Sequence, residues 1–117
     1  MNVKQFEAMT KDQLDAMIAE CKPRDIEFKK TGKVDFVASQ SMPKDWKCIR
    51  APKGMPTVTN GPWAEAKEQV GAFFIVDAKD MDEAVEVAMK HPGPHVAKYC
   101  GGGLEIRACD FYEQPMR

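Results

Sequence analysis

Gly71-Ala72-Phe73-Phe74-Ile75-Val76-Asp77 is apolar on both alternating faces, Phe73 with Ile75 and Phe74 with Val76. That pattern predicts a central β-strand covered on both sides. Beyond it, Asp77 or Asp80 can cap a helix in which Met81, Ala84, Val85, Ala88 and Met89 recur at helical spacing. Lys90-His91 complements the negative end of that helix, and Pro92-Gly93-Pro94 ends it. Leu104-Glu105-Ile106-Arg107-Ala108 alternates strictly and predicts a last strand, with Glu105 and Arg107 sharing its outer face. Upstream, Thr10-Lys11-Asp12-Gln13 is a capping box that starts a helix at Lys11, with Leu14, Met17, Ile18 and Cys21 as its apolar stripe. Pro23 requires a stop, restart or kink before the helix continues from Asp25 to Lys30, and Thr31-Gly32 ends it. Val34 to Ala38 then reads as a strand, with Trp46 to Arg50 as its candidate partner. Thr57-Val58-Thr59 is a short strand that ends at the Asn60-Gly61 turn.

The order helix, two or three strands, helix, strand is that of an α+β, ferredoxin-like sandwich, with two helices on one face of an antiparallel sheet. The usual first strand is short or missing, since only Val3 and Phe6 favour a strand before Thr10. The 117 residues are 44% hydrophobic and 30% charged, which fits one domain over residues 1–117. A net charge of -1 gives no field to attract nucleic acid or an anionic membrane. No apolar run approaches the ~20 residues of a membrane span, and Met1 to Gln5 lacks a signal-peptide core, so a cytoplasmic location is expected. Cys21, Cys48, Cys100 and Cys109 form no C-x-x-C pair. Free thiols are expected over the competing two-disulfide framework.

Asn60-Gly61-Pro62-Trp63-Ala64-Glu65-Ala66-Lys67-Glu68-Gln69-Val70-Gly71-Ala72-Phe73 resembles the signature of the DGPF-type YCII-related family, DGPFAETKE followed by Q-L-G-G-F. The register continues through Phe73 to Val76, Met81 to Lys90 and Glu105-Ile106-Arg107, and more loosely upstream through Leu14 to Glu20 and Val37-Ala38-Ser39. The resemblance implies a homodimer in which open sheet faces meet, making a dimeric α/β barrel with pockets between sheet and partner. It also implies an apolar strand before the first helix, so that either the start lies upstream of Met1 or Asn2 to Phe6 takes its place. Two departures bear on chemistry. The signature aspartate is Asn60 here, and Gln40 stands where many members carry a histidine. Both replacements keep hydrogen-bonding shape and delete proton transfer. The resemblance implies no established reaction, although some members are associated with sigma-factor regulation.

Lys67 and Glu68 lie between a turn and a buried strand, where polar groups can face a cleft; the alternative is a solvated turn with local ion pairs. Glu105 and Arg107 lie on the face a barrel would enclose, or else form a surface pair. Trp63 is a stacking platform or a plug at the end of the core. The expected ligand-binding set is Gln40, Asn60, Trp63, Lys67, Glu68 and Arg107, around a small organic molecule. No catalytic residue is assigned. His91 and His95, with Cys100 downstream, mimic metal-ligand spacing, but Pro92 and Pro94 break the helix that would present both rings together. Neither metal nor cofactor is expected. Gly101-Gly102-Gly103 precedes a strand rather than a helix, so it reads as a loop and not a phosphate cradle. The leading expectation is a small-molecule-binding homodimer whose enzymatic activity the sequence leaves open. A noncatalytic regulatory or protein-interaction module is the second.

Overall fold

A computed structural model describes residues 1–115. Four helices, α1 (Val3–Glu7), α2 (Lys11–Lys29), α3 (Met81–Ala88) and α4 (Gly93–Cys100), accompany four strands, β1 (Val34–Ser39), β2 (Lys47–Arg50), β3 (Thr57–Asn60) and β4 (Ala72–Val76). The class is α+β, as the residue pattern predicts. The strands form two antiparallel pairs, β1 with β4 and β2 with β3, so β1 does not take β2 as its neighbour.

The capping box at Thr10 is complete. Gln13 N–H donates to Thr10 Oγ1 at 3.1 Å, and Thr10 N–H donates to Gln13 Oε1 at 2.9 Å. From there α2 runs 19 residues through Pro23 without a stop. Pro23 cannot bond the carbonyl of Ala19, but both residues are exposed, so water is available to that carbonyl and the helix survives. Asn2 to Phe6 is not the missing strand. Asn2 Oδ1 accepts from Gln5 N–H at 3.0 Å and caps α1, while Asn2 itself bridges Glu68 in antiparallel fashion.

The segment Pro92-Gly93-Pro94 does not only end a helix; it starts α4, with Pro92 at the N-cap and Pro94 in the first turn, where a missing N–H costs nothing. Gly101 closes α4 at φ 67°, and a side chain there would meet Gln5 Oε1 at 2.6 Å and Asn2 Cβ at 3.2 Å. Glycine therefore lets α1 lie against the end of α4. Leu104 to Ala108, expected as a strand, has no regular structure, and Arg107 and Glu105 pair locally at 2.6 Å. Alternation makes a segment able to pair, but it needs a partner edge, and here it takes none.

Phe28 on α2 is the largest fully buried side chain, at 0% exposure. Its ring meets Phe74 of β4 edge-on at 4.7 Å and His91 at 5.0 Å, while Phe74 and His91 stack at 4.7 Å. Val87, Ala88 and Val96 are buried too, as are Pro43 and Pro92. β4 is thus covered on the Phe74 side alone, not on both. Phe36 and Phe73 on the other side are 36% and 45% exposed. The radius of gyration, 16.6 Å, exceeds the ~13 Å expected of a compact chain of this length. Ile49, Met55 and Val58 of the β2–β3 hairpin are well exposed.

Truncating Phe28 to alanine removes the ring that joins α2 to β4 and His91, and should cost about 3–5 kcal/mol in urea unfolding. A loss under about 1 kcal/mol would contradict this packing.

Candidate functional site

Two clefts flank the β1–β4 sheet. The register pairs Phe36 with Ile75 and Ala38 with Phe73, placing these four on one face; Val37 with Phe74 and Ser39 with Ala72 lie on the other. The first face carries a hollow of about 640 Å³ walled by Phe36, Ile75 and the segment Phe111 to Pro115. Phe36 meets Phe73 edge to face at 5.8 Å, and Phe73 borders the second cleft rather than this hollow. The second face, packed by α2, carries a cleft of about 250 Å³ that reaches His91.

The six residues expected to bind ligand are placed apart within one chain, and none of them lines either cleft. Gln40 follows β1 and its N–H donates to the Gly71 carbonyl at 2.9 Å, extending the β1–β4 ladder. Asn60 ends β3, where its Oδ1 accepts from Lys47 Nζ at 2.6 Å across the hairpin. Trp63 is 65% exposed, with the Arg50 guanidinium 4.1 Å from its ring centroid. It therefore plugs no core, and Arg50 also donates to its carbonyl.

Lys67 and Glu68 meet the first residues of the chain. Val3 N–H donates to the Lys67 carbonyl at 3.2 Å, and Gln69 N–H donates to the Met1 carbonyl at 2.8 Å. Glu68 Oε2 is 3.2 Å from the Met1 ammonium. Arg107 is paired with Glu105 in the irregular segment. Asn60 and Gln40 bring no titrating group.

Residue patterns missed His91 as a site residue. Gly93 N–H donates to His91 Nδ1 at 2.9 Å, and His95 Nε2 is 2.8 Å from the Met89 carbonyl. Both rings thus tie into the α3–α4 junction. Among the described residues no group of three or more His, Cys, Asp or Glu is placed to hold a metal ion. Burial holds the His91 pKa below the ordinary imidazole value, with Asp25 pulling the other way. On the α2–α4 seam, Glu20 Oε1 accepts from Lys98 Nζ at 3.0 Å and from Tyr99 OH at 3.1 Å. The bond from Lys98 is the largest cause holding the Glu20 carboxyl below its usual range. No helix among the described residues is long and apolar enough to cross a membrane.

These features define a small α+β domain with one packed and one open sheet face. The model of the YCII-related domain matches residues 1–101, and the chain belongs to that family. An uncharacterized protein of Rhizobium meliloti (strain 1021) is 31% identical over 67 residues, covering 56% of this chain and 50% of the relative. The chain spans about half the length of that curated relative.

Because His91 binds its proton less readily folded than unfolded, its contribution to stability is complete above the ordinary histidine pKa of ~6.5. It is lost as pH falls through that value toward the lowered folded one. Urea midpoints of the wild type and His91→Phe should therefore converge or cross between about pH 7 and pH 5, with the wild type losing more. A pH-independent difference would contradict the buried neutral ring.

Proposed function

We propose that this protein is a homodimeric small-molecule binder, in which the open faces of two β1–β4 sheets meet and enclose a ligand hollow. One observation carries the reading: Phe36, Phe73 and Ile75 form an apolar face turned away from α2, and two of the three are more than a third exposed. A second copy removes that area from water, at roughly 25 cal/mol per Å² of apolar surface. Membership of the YCII-related family supports the same assembly, through the likeness of residues 60–73 to its signature. The hollow of about 640 Å³ lies within the ~300–1,000 Å³ range of ligand sites. Gln40, Asn60, Trp63, Lys67, Glu68 and Arg107 are proposed to contact the ligand in the assembled pair, where side chains of both copies combine.

Binding is favoured over proton-transfer catalysis because the positions that resemble the family's acid/base pair are the amides Asn60 and Gln40. Both amides donate and accept hydrogen bonds without changing charge. They suit recognition of a polar organic group.

Analytical ultracentrifugation at micromolar concentration should give twice the chain mass for the wild type. Phe73→Glu places a charge on the apolar face and should give the single-chain mass with far-UV circular dichroism unchanged. A wild-type monomer, or a Phe73→Glu dimer, would overturn the reading.

A further inference from the structure

The cleft beside α2 is walled by Asp25, His91, Val37 to Ser39 and Ala72 to Phe74, with a volume of about 250 Å³. Val37 pairs with Phe74 and Ser39 with Ala72, on the face opposite Phe36 and Ile75, which wall the proposed dimer hollow; Ala38 and Phe73 border the cleft as well, and no residue lines both. Its size suits a molecule smaller than a drug, about one aromatic ring with a substituent.

The polar groups of the cleft set the chemistry of that substituent. His91 Nδ1 accepts from Gly93 N–H, so the neutral ring carries its proton on Nε2. Among the described residues no buried side-chain nitrogen lacks a partner, and His91 Nε2 takes part in no hydrogen bond; that N–H is therefore open to solvent or to the cleft. It offers one donor. Asp25 also lines the cleft; its Oδ2 accepts from Lys29 Nζ at 2.7 Å, its carboxylate has further acceptor capacity, and Lys29 is not part of the lining. A ligand must then present an acceptor to His91 and a donor to Asp25 from one small group, with an apolar body against Val37, Ala72 and Phe74. A carboxylate fails, since it brings a negative charge toward Asp25 and has no donor to offer.

We propose that this cleft is a second ligand site, selective for an uncharged single-ring aromatic carrying both acceptor and donor, as in a primary carboxamide. The carbonyl accepts from His91 Nε2–H and the amide N–H donates to Asp25. No bond is broken, so this is a recognition site.

Benzamide and benzoate test it, being alike in shape and different in charge and donor count. In proton–carbon correlation spectra, benzamide should shift the His91 and Phe74 ring signals saturably, with the His95 ring as the unaffected control. Benzoate at equal concentration should not. His91→Phe keeps an aromatic ring on Phe74 but removes the donor, and should lose the benzamide response at Phe74. Ser39→Leu fills the exposed mouth without touching the aromatic cluster and should lose it too, which decides the matter if His91→Phe fails to fold. Phe36→Glu charges the open face at a residue that walls the other hollow and not this cleft, and should respond as the wild type does even where it is monomeric, so failure of the dimer reading and failure of this site are told apart. No benzamide shift at His91, an equal response to benzoate, or a full response in Ser39→Leu would each overturn the proposal.

Discussion

The contact of Phe28 with Phe74 and His91 holds the chain together. One ring on α2 fastens a strand of the β1–β4 sheet and the turn between α3 and α4 in a single cluster, with centroid separations of 4.7 and 5.0 Å. Edge-to-face pairs of this kind add about 0.5–1.5 kcal/mol each to the apolar burial itself. The buried set is small: among the described residues Phe28, Val87, Ala88 and Val96, with Pro43 and Pro92. With so little else inside, the orientation of the sheet follows from this cluster. Phe74 is drawn toward α2, and strand geometry then turns Phe73 and Ile75 the other way.

That alternation links packing to function. A strand apolar on both faces has one face satisfied by its own helices and a second that its own chain leaves largely uncovered. Among the described residues, the segment Phe111 to Pro115 faces that side across a hollow. The β2–β3 hairpin has the same character, with Ile49 and Val58 paired across its strands and exposed to water. Contiguous apolar exposure of this kind is what association with another surface would cover.

Elements whose signals are local were legible in the sequence. The Thr10 capping box, the Asp80 cap and the apolar run of β4 each appear where the residues place them. The elements that were not legible depend on context. Pro92 and Pro94 read as breakers because they end one helix, yet proline in a first turn is as compatible with starting the next. Asn2 caps a short helix by accepting from Gln5 N–H, a local bond where the family likeness implies a strand. Leu104 to Ala108 has the alternation of a strand, but alternation says nothing about which edge, if any, accepts it. The candidate site was less legible still. Gln40, Asn60, Trp63, Lys67, Glu68 and Arg107 share a motif or a predicted face, whereas the folded chain distributes them over a strand end, a hairpin, a paired loop and the C-terminal segment. His91 reads as a helix-end cation or as a mimic of metal-ligand spacing and not as a buried ring, because its burial depends on Phe28, sixty-three positions away.

The central claim is that the sheet face bearing Phe36 and Phe73 belongs against another copy of the same chain. Isotope-filtered nuclear Overhauser spectra on a mixture of labelled and unlabelled chains test it directly. Cross-peaks between the Phe36 or Phe73 rings of labelled chains and aliphatic protons of unlabelled ones are predicted. Their absence, with those rings showing only contacts inside their own chain, would contradict it.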